Sequence, residues 1–194
     1  MIDRGELCCD KRRIELRITR RNIAHTNIKE WRAETDVPVG PKGTLDDYVP
    51  FYFAPRSPML LSIHGGHVDG YAGGQRRIMH IVSTCEAVAE HGLPFVFTDG
   101  HAPMAPLSRF YDDLCELDRV DWSVMPLTYW NDTQAQPDRK RKRQAEFLVY
   151  RSFPWTLVTE IGVINATAKE VVDGIVAAGD HRPKVVVRPG WYYN

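Results

Sequence analysis

Hydrophobic positions fall in short bursts along the chain rather than in long periodic runs. Phe51-Tyr52-Phe53-Ala54, Met79-His80-Ile81-Val82-Ser83 and Phe95-Val96-Phe97-Thr98 each read as a buried strand, rich in aromatic and β-branched residues. Ala145-Glu146-Phe147-Leu148-Val149-Tyr150 predicts a further strand by alternation, and 157–164 and 184–188 predict two more. Helix signals are fewer. Asn27 stands before Ile28-Lys29-Glu30-Trp31-Arg32 as a cap, with Glu30 placed to return the bond. Thr84 opens a helix over 85–91 that Gly92 ends, and 166–178 forms another. Ile14, Leu16 and Ile18 alternate with polar residues, as a short strand or the end of a helix would. Residues 35–50 predict a loop, with Pro38, Pro41 and Pro50 each blocking a regular element. After the turn Pro55-Arg56-Ser57-Pro58 comes an apolar run, Met59 to Ile63, and then a glycine-rich loop over 64–74. Residues 103–144 are irregular, with helical fragments around 110–117. Short strands interleaved with few helices predict an α+β or mixed α/β fold in one domain, residues 1–194.

Composition narrows the function classes. The chain has 194 residues, 43% hydrophobic, with Lys+Arg 25 against Asp+Glu 25. A zero net charge excludes binding nucleic acid by gross charge, so any such surface must be a local patch. No apolar run approaches the roughly 18 residues of a membrane span, and the first residues lack a signal-peptide layout. Cys8, Cys9, Cys85 and Cys115 show no metal-ligand spacing, and neither do the histidines. A reduced, cytoplasmic monomer without a metal is the expectation.

Three features point to chemistry. Glu146 shares one face of its strand with Leu148 and Tyr150, where a carboxylate is disfavoured by desolvation unless paired or functional. It reads either as a strand-end ion-pair partner of the cations beside it or as a catalytic group. Arg139-Lys140-Arg141-Lys142-Arg143 places five consecutive cations directly before it, a local positive field suited to a phosphate-bearing substrate. His101, in Thr98-Asp99-Gly100-His101 just past a strand end, is the histidine best placed for chemistry. The glycines of 65–74 match neither a phosphate-binding P-loop nor a dinucleotide fingerprint, and no serine-hydrolase elbow is present. The residues by themselves describe a small enzyme acting on a phosphate-rich substrate.

The order of the motifs adds a resemblance. Tyr48-Val49-Pro50-Phe51-Tyr52-Phe53-Ala54-Pro55-Arg56-Ser57-Pro58-Met59-Leu60, Phe97-Thr98-Asp99-Gly100-His101, Trp130-Asn131-Asp132-Thr133, Arg143-Gln144-Ala145-Glu146-Phe147-Leu148-Val149 and the ending Arg188-Pro189-Gly190-Trp191-Tyr192-Tyr193 together resemble the DarT family of DNA ADP-ribosyltransferase toxins. The resemblance runs from about residue 24 to the C-terminus. It implies a compact ADP-ribosyltransferase fold with a split, mostly antiparallel sheet. It also implies a pentosyl transferase that uses NAD to place one ADP-ribose on a base of single-stranded DNA, thymidine rather than guanosine, as the toxin of a pair with a macrodomain antitoxin. On this resemblance Glu146 is the catalytic glutamate, and Arg32 the arginine that contacts NAD and assists. His101 lies near the target base, and Arg139, Lys140, Arg141, Lys142 and Arg143 belong to the loop that presents the strand. The family usually starts one strand and one helix earlier, with a histidine that helps to hold NAD. The present start resembles the stretch just past that helix, so the NAD-binding segment is expected to be incomplete, and a catalytically impaired DNA- or NAD-binding remnant is the rival reading.

Overall fold

A computed structural model describes residues 4–19, 26–68, 70–105 and 107–194. The regular elements come in the order β1 (Glu6–Cys8), α1 (Asp10–Glu15), α2 (Thr26–Glu34), β2 (Tyr48–Tyr52), α3 (Pro58–His64), β3 (His80–Val82), α4 (Cys85–Glu90), β4 (Phe95–His101), β5 (Phe110–Tyr111), α5 (Arg139–Lys142), β6 (Ala145–Tyr150), β7 (Ser152–Pro154), β8 (Glu160–Val163), α6 (Ala166–Val176) and β9 (Lys184–Val187). Three small sheets divide them: β2-β6-β4-β5, β3-β8-β9 and the pair β1-β7. Every pairing is antiparallel except β8 with β9, which α6 connects as a parallel crossover. This is a mixed α+β fold with a split, mostly antiparallel sheet.

Several elements stand where the pattern put them, for the expected reasons. β6 has the predicted limits, Thr84 caps α4 by accepting from the Ala87 N–H, and α6 begins where Asn165 accepts from Ala168. The alternation over Ile14, Leu16 and Ile18 is the end of a helix, α1. The apolar run after the Pro55–Pro58 turn is helix α3, capped by the Ser57 hydroxyl and started by Pro58 at its first position. The Asn27 side chain lies outside the described residues, as does His25.

Three expectations need correction. Residues 35–50 are not all loop, because β2 starts at Tyr48 and runs through Pro50 to Tyr52, leaving Phe53 and Ala54 outside the strand. Pro50 is tolerated since β2 is an edge strand paired on one side only, where a missing N–H costs no ladder bond. The stretch around 110–117 holds a two-residue strand before a 3₁₀ turn. β4 continues past Thr98 to His101 through a register shift against β6, so His101 stands in the strand rather than beyond it. β1 and β7 are too short for periodicity to reveal.

The two faces of β6 serve different cores. Ala145, Phe147 and Val149 join Phe97, Phe153, Trp155 and Ile161 in the main cluster. Leu148 points the other way, into a cluster with Val37, Leu45, Tyr48, Val96 and Ala102. Glu146 shares that second face, near the start of the strand, and is itself buried.

His80 on β3 meets the rings of Trp191 and Tyr192 edge-on, at centroid distances of 5.5 and 4.9 Å, and its Nε2 is buried without a hydrogen-bond partner among the described residues. Burial pushes its imidazole down to about 4. The unfolded chain therefore binds the proton more readily than the fold does, so the stability this site contributes is present above about pH 6.5 and is lost as pH falls towards 4. Thermal melts between pH 7.5 and 4 should show this acid loss in the parent and a shallower decline in His80→Phe. Equal slopes would show that His80 does not titrate in this way.

Candidate active site

The antiparallel register of β2 and β6 sets Tyr52 opposite Glu146. The β4–β6 pairing sets His101 opposite Ala145, one residue away. Between Phe97 and His101 the register shifts, and Thr98 stabilises the distortion. Its buried hydroxyl accepts from the Glu146 N–H at 3.1 Å and donates to the Gly100 carbonyl at 2.6 Å. The irregularity thus fixes the backbone under the carboxylate.

Arg32, in the last turn of α2, reaches across 114 positions of sequence to donate from Nη1 to Glu146 Oε2 at 2.7 Å. Glu146 is 2% exposed and the Arg32 side chain 16%, so water screens the pair weakly. A second guanidinium nitrogen donates to the Leu45 carbonyl at 3.4 Å, in a 3₁₀ turn over 45–47. That turn is itself anchored. Asp47 accepts from the Thr44 N–H at 3.1 Å and from Lys11 Nζ at 2.8 Å, with Arg151 Nη1 at 3.5 Å.

Electrostatics within the site follow from this packing. Burial works against the charged form of Arg32, but the Glu146 carboxylate outweighs it and holds the guanidinium above its ordinary pKa. Burial, then the same carboxylate, pushes the Tyr52 phenol up. Burial lowers the imidazole of His101, with Glu146 opposing and Arg32 and Lys140 assisting, so it is neutral at pH 7. One buried carboxylate, one guanidinium, a phenol and a neutral imidazole therefore converge. Among the described residues no donor bonds Glu146 Oε1. Such a set can stabilise developing positive charge, orient a hydroxyl and take up a proton.

The five cations before β6 do not form a common exposed face. Arg141, 13% exposed at its side chain, chelates Asp138 at 2.8 and 2.7 Å and donates from Nη1 to Asp99 at 3.2 Å and Ser108 at 3.0 Å. Gly100 makes the room, since a Cβ there would stand 2.1 Å from that nitrogen. Ser108 in turn donates to the His101 carbonyl at 2.8 Å. Lys142 pairs with Asp121 at 3.1 Å. Arg143 is 1% exposed, and its Nε and Nη1 have no hydrogen-bond partner among the described residues. Arg139 bonds Gln136 through Nε at 2.7 Å, and Lys140 is exposed. The expected field of five charges is reduced to Arg139 and Lys140, because neighbouring acids and the core take up the other three.

Sequence reasoning brought Glu146, Arg32 and His101 to one place. It missed Tyr52 and Thr98, read only as apolar-strand members. Their signal is the pairing itself, since a residue opposite or beside a buried carboxylate must answer its charge. Among the described residues no three His, Cys, Asp or Glu side chains converge to hold a metal ion, and no helix is long and apolar enough to cross a membrane.

Comparison with known proteins places the chain in a family. The family model described as "ssDNA thymidine ADP-ribosyltransferase, DarT" matches residues 1–193. A DNA ADP-ribosyl transferase of Thermus sp. (strain 2.9) is 46% identical over 175 residues, covering 89% of this chain and 81% of that protein. The structure of Thermus sp. 2.9 DarT in complex with ADP-ribosylated ssDNA is similar with a TM-score of 0.92 and 42% identity, over 99% of this chain and 89% of that one. The same Thermus protein in complex with NAD+ gives a TM-score of 0.88 at 41% identity, over 99% and 90%.

The charge assignment is testable by the salt dependence of single-strand binding. Removing a phosphate-contacting cation lowers the slope of log affinity against log salt by about 0.7. Lys140→Ala should show that drop by fluorescence anisotropy, and Lys142→Ala, whose charge is held by Asp121, should leave the slope as in the parent.

Proposed function

The chain belongs to the DarT family of single-stranded-DNA thymidine ADP-ribosyltransferases, and from that premise we propose that it transfers one ADP-ribose from NAD to a thymidine base of single-stranded DNA. The observation that carries this reading is the buried Arg32–Glu146 pair near the start of β6. Bound NAD supplies the ADP-ribosyl group and the leaving nicotinamide.

The residues fit that donor. Glu146 presents a carboxylate where positive charge grows at a ribose carbon as its bond to nicotinamide lengthens, and the low-dielectric setting strengthens the attraction. Its Oε1 also orients a ribose hydroxyl or accepts the proton that the attacking base gives up. Arg32 holds the Glu146 carboxylate in place through its 2.7 Å hydrogen bond and offers a fixed cation to the anionic base or to a phosphate oxygen. Neutral His101 lines the approach of the base and can donate or accept a hydrogen bond there. Attack on a base in a single strand needs no unpairing, so the site's residues are left to position and activate. Arg139 and Lys140 steer the backbone and carry no sequence information.

The biological reading rests on the family resemblance. We take the chain to act as the toxin of a toxin–antitoxin pair, in the cytoplasm where both NAD and single-stranded DNA occur, with a macrodomain antitoxin as its partner. We take residues 1–194 to work as a single domain and as a monomer.

Incubation of the purified chain with NAD and thymidine-containing single strands should add the mass of one ADP-ribose per strand, read by intact-mass spectrometry. Glu146→Ala should lower the rate by about 10²–10⁴-fold, the range for a positioned acid–base group, while still binding the strand. Labelling of peptides with strands left unmodified would overturn the DNA reading.

A further inference from the structure

Beside the Arg32–Glu146 pair runs an open groove of about 610 Å³ with a chemistry unlike the rest of the site. One wall is the C-terminal end of α2, where Trp31 and Glu34 share a face at helical spacing with Thr35 just past the helix. The other is the end of β4, with His101, and the segment after it, with Met104 and Leu107. Trp31, Met104 and Leu107 are 49%, 38% and 66% exposed, so three large apolar side chains left in water meet in one place. Among the described residues the Trp31 ring makes no aromatic contact, and its indole N–H makes no hydrogen bond. Thr35 uses its hydroxyl on the Trp31 carbonyl at 2.6 Å, which leaves Glu34 as the only charged group among the described wall residues.

From this lining we propose that the groove holds the nucleobase covalently next to the one being modified, stacked on Trp31, so that Trp31 is the anchor of strand binding. The proposal rests on the reading of the chain as a single-strand-modifying transferase and adds a subsite to it. Flat apolar and aromatic walls suit the π-face of a base. With no lysine or arginine among the described wall residues and an acid at one side, the groove is unsuited to phosphates, which must point away from it. That argues against the adenosine half of NAD, whose pyrophosphate would be drawn in behind the base. A groove open along its length also suits a polymer that continues past it. His101 belongs both to this lining and to the Glu146 centre, so a base in the groove and its neighbour at the carboxylate are one step of a strand apart. The sequestered charges of Arg141, Lys142 and Arg143 fit the same picture, because stacking supplies affinity that the basic run does not.

Three proteins decide the matter: the parent, Trp31→Ala and Trp31→Phe, each checked for an unchanged melting temperature. Binding of a labelled thymidine-containing oligonucleotide is measured by anisotropy at low and at high salt, without NAD. Trp31→Ala should bind about five- to a hundredfold more weakly, the range that base–aromatic stacking gives. The factor should persist at high salt, since no counterion is released, and Trp31→Phe should recover most of it. A loss that vanishes at high salt, or parent-like binding by Trp31→Ala, would overturn the subsite. So would unaltered strand binding with weakened NAD binding, which would give the groove to the dinucleotide. The adduct assay runs alongside on the same samples. A parent that binds strands through Trp31 yet modifies none would remove the transferase reading and leave the groove intact, while a parent that modifies strands with Trp31→Ala binding normally would do the reverse.

Discussion

A single ion pair ties the two halves of the site together: Arg32 from the N-terminal third of the chain and Glu146 from the central strand, 2.7 Å apart and largely out of water. The geometry around it is arranged to make that burial tolerable. The Glu146 N–H is satisfied by Thr98, and Arg32 leans on the Leu45 carbonyl, whose turn is fixed by Asp47 and its cations. Pairs of this kind add little to stability relative to an apolar filling, but losing one partner leaves the other charged and buried. The pair is better understood as a means of holding a carboxylate in one fixed direction inside the fold.

The treatment of the basic run reflects the same economy of charge. Five successive cations on one short segment would repel one another, and the fold disperses them. Asp138 and Asp99 hold Arg141, Asp121 holds Lys142, and Arg143 is buried beneath them. A sequence window shows the cations and not the acids, most of which come from other segments of the chain. A charge run in a neutral protein is therefore a poor measure of surface potential. Here most of it is structural, since acids and the core take up three of the five charges.

Much of the fold was legible, and the reasons are local. β6 declared itself through alternation, α4 and α6 through their caps, and the α+β class through the interleaving of short bursts. Glu146 stood out because a carboxylate inside an apolar strand has few bland explanations, and Arg32 came from the order of motifs rather than from any property of its own neighbourhood. What could not be read was non-local. Pro50 looked like a strand breaker because nothing in the sequence marks β2 as an edge. The extension of β4 to His101 depends on a register shift held by Thr98, and Tyr52 gains its meaning only from standing opposite Glu146.

The Arg141 guanidinium joins three stretches of chain: the segment before β6 through Asp138, the end of β4 through Asp99, and the turn after it through Ser108, which in turn grips the His101 carbonyl. Gly100 is the vacancy into which that hub fits. Segments clasped by one side chain cannot loosen independently. The segment before β6 and the strand end that carries His101 therefore behave as one cooperative unit, and loosening the first also frees the second.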